Sequence, residues 1–104
     1  LAVITNTAGA LARDIIKDLA LGIECIIGGD EVENAKPSPD MIFEACRVLG
    51  VSSKESIVVG DSIYDMEAAR ASDSCSIGIN GVLGDLTIKS LAELVGIVEN
   101  YLDL

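Results

Sequence analysis

The sequence predicts an α/β fold, an open and mostly parallel sheet with helices on both faces. Three observations predict it. Short continuous apolar runs alternate with stretches of helical period along the chain. The runs are too apolar for a sheet with one wet face, so each strand should be covered on both sides. Polar residues collect just past the ends of the runs, where open parallel sheets bind their ligands. With 104 residues, no linker and no internal repeat, residues 1–104 read as one domain.

Leu1-Ala2-Val3-Ile4 is the first strand. A core strand this early leads us to expect a piece of a longer protein, whether a truncation, a cleavage product or a natural split. From Ala8 the period becomes helical: Leu11, Ala12, Ile15, Ile16 and Leu19 share a face, and Arg13, Asp14, Lys17 and Asp18 point away. Gly22 supplies a left-handed stop. Ile23 to Ile27 is the second strand, closed by Gly28-Gly29. Asp30 to Pro39 is polar, holds both prolines and reads as a loop. Ser38 as N-cap and Pro39 as first helical residue open the next helix. Its buried stripe is Met41, Ile42, Ala45, Val48 and Leu49, and Gly50 ends it. Ile57-Val58-Val59 is the third strand, running into Gly60-Asp61-Ser62 and a helix from Ile63 to Ala71. Ser76 to Ile79 is a fourth strand. Ser90 and Glu93 form an S-x-x-E box ahead of a last helix that carries Leu91, Leu94, Val95 and Val98.

Half of the chain is hydrophobic and only 3% is aromatic, so the core must be aliphatic. Seventeen acidic against 7 basic residues give a formal charge of -10. Such a surface repels phosphate backbones and anionic lipid, so neither nucleic acid nor membrane is an expected partner. An anionic substrate would need a local cation and backbone N–H donors. Cys25, Cys46 and Cys75 are odd in number and scattered, with no C-x-x-C and no histidine to complete a zinc site. They read as reduced packing thiols, which suits a cytoplasmic protein. No apolar run approaches the ~20 residues that span a bilayer.

Three polar points fall at strand ends. Thr5-Asn6 follow the first strand and Lys36-Pro37 lie beyond the second. Asp61 follows the third, with Asp65 one helical turn further on. Singly each has a plain reading: Thr5 or Asp61 as a helix cap, Lys36 as a solvated loop residue, Asp65 as an acid facing water. Together they put a hydroxyl, an ammonium and two carboxylates on one edge of one sheet. The hydroxyl and the free N–H groups of the Ala8 helix can hold a phosphoryl oxygen. The ammonium can balance charge on a phosphate and on an attacking carboxylate. Two carboxylates four residues apart share a helix face, where they can position a hard cation such as magnesium. Positioning and charge stabilisation are what phosphoryl transfer requires.

Leu1-Ala2-Val3-Ile4-Thr5-Asn6 resembles the second motif of the haloacid dehalogenase superfamily. Lys36-Pro37-Ser38-Pro39-Asp40 is similar to its third, the K-P-x-P-x segment of the phosphoglycolate phosphatase branch. Val58-Val59-Gly60-Asp61-Ser62-Ile63-Tyr64-Asp65 and the following Ala68 and Ala71 are similar to its fourth, V-G-D-S-x-x-D then A-x-x-A. Order and spacing match over nearly the whole chain. The resemblance implies a three-layer, Rossmann-like core and a magnesium-dependent phosphatase that acts on a small phosphorylated metabolite through an aspartyl-phosphate. It implies that Thr5 and the backbone N–H of Asn6 bind the phosphoryl group and that Lys36 steadies it and the nucleophile. Asp61 would ligate the metal directly. Asp65 would orient a metal-bound water or Lys36, and Ser62 would assist at the metal shell.

The family's first motif, D-x-D, is not among these 104 residues, so the chain lacks the nucleophile strand and the cap that chooses the substrate. Ser72-Asp73 also stands where Ala-Gly is usual. The resemblance thus implies an inactive chain whose nucleophile lies elsewhere in the parent. A non-catalytic fragment or split subunit, a sugar-phosphate mutase and a dehalogenase of the same superfamily are the alternatives, and the Asp61/Asp65 pair argues against the last. In the family the missing strand lies between Leu1–Ile4 and Ile57–Val59. Without it these two strands must pair directly, leave a gap, or borrow a strand. The expected macromolecular partner is therefore the missing amino-terminal half, or another copy through the exposed sheet.

Overall fold

The computed structural model describes residues 1–102. Strand and helix alternate as expected: β1 (Ala2–Thr5), α1 (Gly9–Asp18), β2 (Cys25–Gly28), α2 (Asp40–Leu49), β3 (Ile57–Gly60), α3 (Ile63–Ala71), β4 (Cys75–Ile79), β5 (Leu86–Ile88) and α4 (Ala92–Leu102). Every strand pair is parallel, with Val3 opposite Ile26, Val59 opposite Ile77 and Gly78 opposite Thr87. Helices cover both sides of the strands, which makes this the three-layer α/β arrangement the sequence predicts.

The strands do not form one sheet. β1 pairs only with β2, and β3, β4 and β5 form a second sheet in that order. Between β1 and β3 lies a slot of about 410 Å³. Ala2, Val3 and Ile4 line one wall, Ile57, Val58 and Val59 the other, and Ile42, Ala45, Cys46 and Leu49 of α2 are also exposed to it. Of the three outcomes the sequence left open, the gap is the one observed. Burial reflects it. β2 is buried along its whole length, whereas every residue of β1 and β3 is only half-buried.

Packing beneath the slot joins the two sheets. Cys25 and Ile27 of β2 meet Met41 and Ala45 of α2, with Ala2 and Ile4 packed against them. Ile42 and Cys46 meet Ala68 of α3, and this second cluster is reached by Ile4 from one sheet and Val58 from the other. The free thiols sit as packing residues, Cys25 and Cys46 buried and Cys75 half-buried. Burial pushes the Cys75 thiol above its ordinary range, and the nearby Asp85 charge adds to this.

Several local expectations need correction. The apolar stripe of α1 is helical but largely uncovered: Ala12 is buried, while Leu11, Ile15 and Leu19 are exposed. In α2 the buried positions are Met41, Ile42, Ala45 and Cys46, and Val48 and Leu49 are exposed. α2 begins after Pro39 rather than at it, although the Ser38 hydroxyl still accepts the Asp40 N–H at 3.3 Å. After α1 the chain already turns left-handed at Ala20, φ 53°, while Gly22 is left-handed as expected at φ 67°. β2 starts at Cys25 rather than Ile23, and β5 is a strand beyond the four the sequence predicts. Before α4, Glu93 reaches back to the Lys89 N–H at 2.7 Å instead of that of Ser90. No helix among the described residues is long and apolar enough to cross a membrane.

Candidate active site

The three polar points converge at the carboxyl ends of β1 and β3. β1 ends in Thr5, whose Oγ1 accepts the Thr7 N–H at 3.1 Å in a tight local turn. The cap residue of α1 is Ala8, which offers no side-chain bond, so Thr5 is not a helix cap. A hydroxyl that accepts one bond still has its own proton to donate. The first N–H of α1, on Gly9, is not free as expected: it donates to Asp30 Oδ1 at 2.8 Å. Asp30 sits in the short turn Gly29–Glu31 after β2, and its neighbour Glu31 binds Arg13 of α1 at 2.8 and 2.9 Å. Nothing in the spacing of the sequence announces this link between α1 and the loop after β2.

Asn6 lies one residue past β1 and its side chain meets Lys36 twice. Oδ1 accepts the Lys36 N–H at 3.0 Å, and Nδ2 donates to the Lys36 carbonyl at 3.2 Å. Lys36 precedes a cis peptide bond to Pro37. Its Nζ crosses to Asp65 Oδ1 on α3 at 2.5 Å, and the two side chains are only 13% and 11% exposed. At that burial the pair is screened far less than an ion pair on the open surface.

Asp65 is placed by its own helix start. Ser62 is the N-cap of α3: its hydroxyl accepts the Asp65 N–H at 3.2 Å, while Asp65 Oδ2 accepts the Ser62 N–H at 3.2 Å and the Ser62 hydroxyl at 2.9 Å. This is a capping box with Asp in the usual Glu position, and S-x-x-D was its signal in the sequence. Gly60 completes the fit, since a Cβ there would collide with the Asp65 side chain. Burial pushes the Asp65 carboxyl up, but the bond and charge of Lys36 with the two bonds from Ser62 outweigh it and hold the group below its ordinary value.

Asp61 differs from Asp65 although both carry a carboxylate on the same edge. It is exposed, and its side chain makes no hydrogen bond or ion pair among the described residues. Asp65 has both oxygens engaged, so of its two expected roles, orienting Lys36 is the one this geometry serves. Ser62 orients Asp65. Asp65 also lines the slot, so the Lys36–Asp65 pair stands at that slot's end. The arrangement offers a hydroxyl, a fixed ammonium and one free carboxylate around a point where an anion could be held and polarised.

Comparison with known proteins agrees with this reading of the fold. The family model for haloacid dehalogenase-like hydrolases matches residues 1–79. A phosphoglycolate phosphatase of Neisseria meningitidis is 40% identical over 92 residues, which are 86% of this chain and 39% of the relative. A phosphoglycolate phosphatase of Chromobacterium violaceum is 37% identical over 109 residues, covering 96% of this chain and 49% of the relative. The crystal structure of a hydrolase of the superfamily from Geobacter sulfurreducens superposes with a TM-score of 0.85 at 20% identity, over 93% of this chain and 51% of that one. The chain thus spans about half the length, or less, of the proteins it matches.

Proposed function

This chain belongs to the haloacid dehalogenase-like hydrolase family, and from that premise we propose that its parent protein is a magnesium-dependent phosphatase acting on a small phosphate monoester. The observation that carries the reading is the Lys36–Asp65 pair, buried at the end of the slot beside Thr5 and Asn6. Thr5 donates its hydroxyl proton, and Asn6 its backbone N–H, to the oxygens of the transferring phosphoryl group. Lys36 offsets the charge that gathers on those oxygens as the bond to the leaving group breaks, and so works most strongly in the transition state. Asp65, oriented by Ser62, keeps the lysine head in place.

The nucleophile belongs to the part of the parent that this chain does not include. A carboxylate attacks phosphorus, the alcohol leaves, and water then hydrolyses the aspartyl-phosphate. We place the strand that carries it in the slot between β1 and β3. Both edges there offer unpaired backbone, apolar residues of α2 lie against it, and Asp65 marks its active end. The missing amino-terminal half is therefore the partner this chain needs, and the chain by itself is inactive. Three thiols without a disulfide among the described residues suit a cytoplasmic setting.

Magnesium fits this chain only in part. Asp61 offers one free carboxylate, and among the described residues no group of three or more acidic, histidine or cysteine side chains comes together. Magnesium takes about six oxygen ligands, so these residues alone do not make the site, and the rest of the parent would complete it. Phosphoglycolate is the first substrate to assay, because the curated relatives carry its name. In the intact parent, Asp61→Ala should abolish turnover while the circular dichroism stays that of the wild type. Hydrolysis that persists in excess chelator would remove magnesium from the reading. A parent inert toward every phosphate monoester would sink the reading itself.

A further inference from the structure

We infer that Asn6 works through its side chain as the positioning residue for Lys36, a role separate from any bond its backbone N–H makes to substrate. The inference rests on the phosphatase reading of the site. One carboxamide takes both backbone groups of a residue 30 positions away, accepting from the Lys36 N–H at 3.0 Å and donating to the Lys36 carbonyl at 3.2 Å. Opposed residues in antiparallel strands exchange bonds in this way. Here a single side chain makes the exchange with a loop.

Lysine needs such a clamp more than most residues. Its ammonium rides on a flexible four-carbon stem, so a fixed head requires a fixed root. Asp65 holds the head and Asn6 holds the root. At its start the loop is tied to α1 by the Gly9 N–H to Asp30 at 2.8 Å and by Arg13 to Glu31. Nearer Lys36 its bonds are local: Asn34 donates its N–H to Asp40 at 3.0 Å, and Ser38 donates its N–H to the Ala35 carbonyl at 3.0 Å. These shape the loop but do not tie it to β1. The Asn6 carboxamide does, and it directly follows Thr5. The hydroxyl of Thr5 and the root of Lys36 are thereby set in one frame, two bonds from a single side chain apart.

In the intact parent, Asn6→Ala keeps the backbone N–H and removes the clamp. It should lower kcat ~10- to 100-fold with a much smaller change in KM, since misplacing a reacting group by about an ångström costs up to ~100-fold. The same substitution in a Lys36→Ala background should cost little more, because its effect runs through Lys36. Equal losses in both backgrounds would make Asn6 a general structural residue and overturn the inference. Amide hydrogen exchange at Lys36 gives a readout without turnover: it should quicken in Asn6→Ala, and a wild-type rate there would also overturn it. If Asn6→Ala does not fold, Asn6→Asp retains the acceptor and loses the donor. It should show a smaller kcat loss of the same kind, and wild-type kcat with wild-type exchange would overturn the inference. If the parent hydrolyses no phosphate monoester, the phosphatase reading fails, and exchange at Lys36 still decides the clamp.

Discussion

The two sheets beside the slot bring unlike chemistry to one place. The β1–β2 side supplies Thr5, Asn6 and Lys36, groups that donate hydrogen bonds or carry positive charge. The β3–β4–β5 side supplies Asp61 and Asp65, two carboxylates of which, among the described residues, only Asp65 is bonded within the chain. Their ion pairs differ too. Arg13–Glu31 lies within the first side at 46% and 33% exposure, and Glu44–Arg47 lies within α2. Among the described residues, only Lys36–Asp65 crosses the slot, at 13% and 11%. Exposed pairs add little to stability. The crossing pair is less screened, although burial also strips water from both charges, and it tethers two sheets that share no backbone ladder. Neither side is a site by itself: grip and acidity meet only where the lysine reaches across.

Filling or emptying the slot should change this comparison most. Residues 1–104 expressed alone should not hydrolyse an aryl phosphate in magnesium, and light scattering should reveal association through the unpaired strand edges. Adding the amino-terminal half of the parent should restore turnover and suppress the scattering. Robust activity from a monodisperse preparation of this chain alone would put the nucleophile back among these residues.

Cutting the tie between the sheets comes next. In the parent, Lys36→Ala should reduce kcat ~100-fold or more, about 3 kcal/mol of transition-state stabilisation, with a smaller change in KM. Steady-state kinetics in which KM alone rises would make Lys36 a substrate-binding group only.

The gentlest perturbation is acid. The Asp65 carboxyl is held below its ordinary value of 3.8 in the folded chain, so the folded state keeps it ionised where the unfolded chain would begin to protonate it. Its contribution to stability is therefore fully present above about pH 4 and is lost as pH falls through the lowered value. The stability difference between the parent and its Asp65→Asn variant should be flat from neutrality to about pH 4 and shrink below that. A difference that shrank near pH 6 would point to another group.

Much of the fold was legible because it rests on local periodicity. The runs Leu1–Ile4 and Ile57–Val59 read as strands and form β1 and β3, and the stop at Gly50 is a left-handed residue with φ of 72°. β5 escaped because Leu86–Ile88 is three residues long with two exposed, too short for a pattern. The uncovered stripe of α1 escaped because periodicity shows which face is apolar and not whether anything lies against it. The candidate site divides the same way. Thr5, Lys36, Asp61 and Asp65 were legible from their places at strand ends. The S-x-x-D box makes Ser62, not Asp61, the cap of α3, and its signal is present in the sequence. The Asn6 carboxamide and the Asp30 bond to Gly9 join residues 30 and 21 positions apart, and such pairings leave no trace in local spacing.

The empty seam between β1 and β3 has a consequence for phase. Strands in a continuous sheet are indexed by their hydrogen-bond ladder, but these two have none between them. A slip of one residue along a strand is about 3.3 Å, longer than the 2.5 Å contact between Lys36 and Asp65. It would also turn Val58 away from Ile42 and Cys46, because successive side chains face opposite ways. A slip of that size is therefore opposed at both ends of the seam. A side-chain contact above and an apolar cluster below act as a detent, and they hold the two sheets in step without a single shared backbone bond.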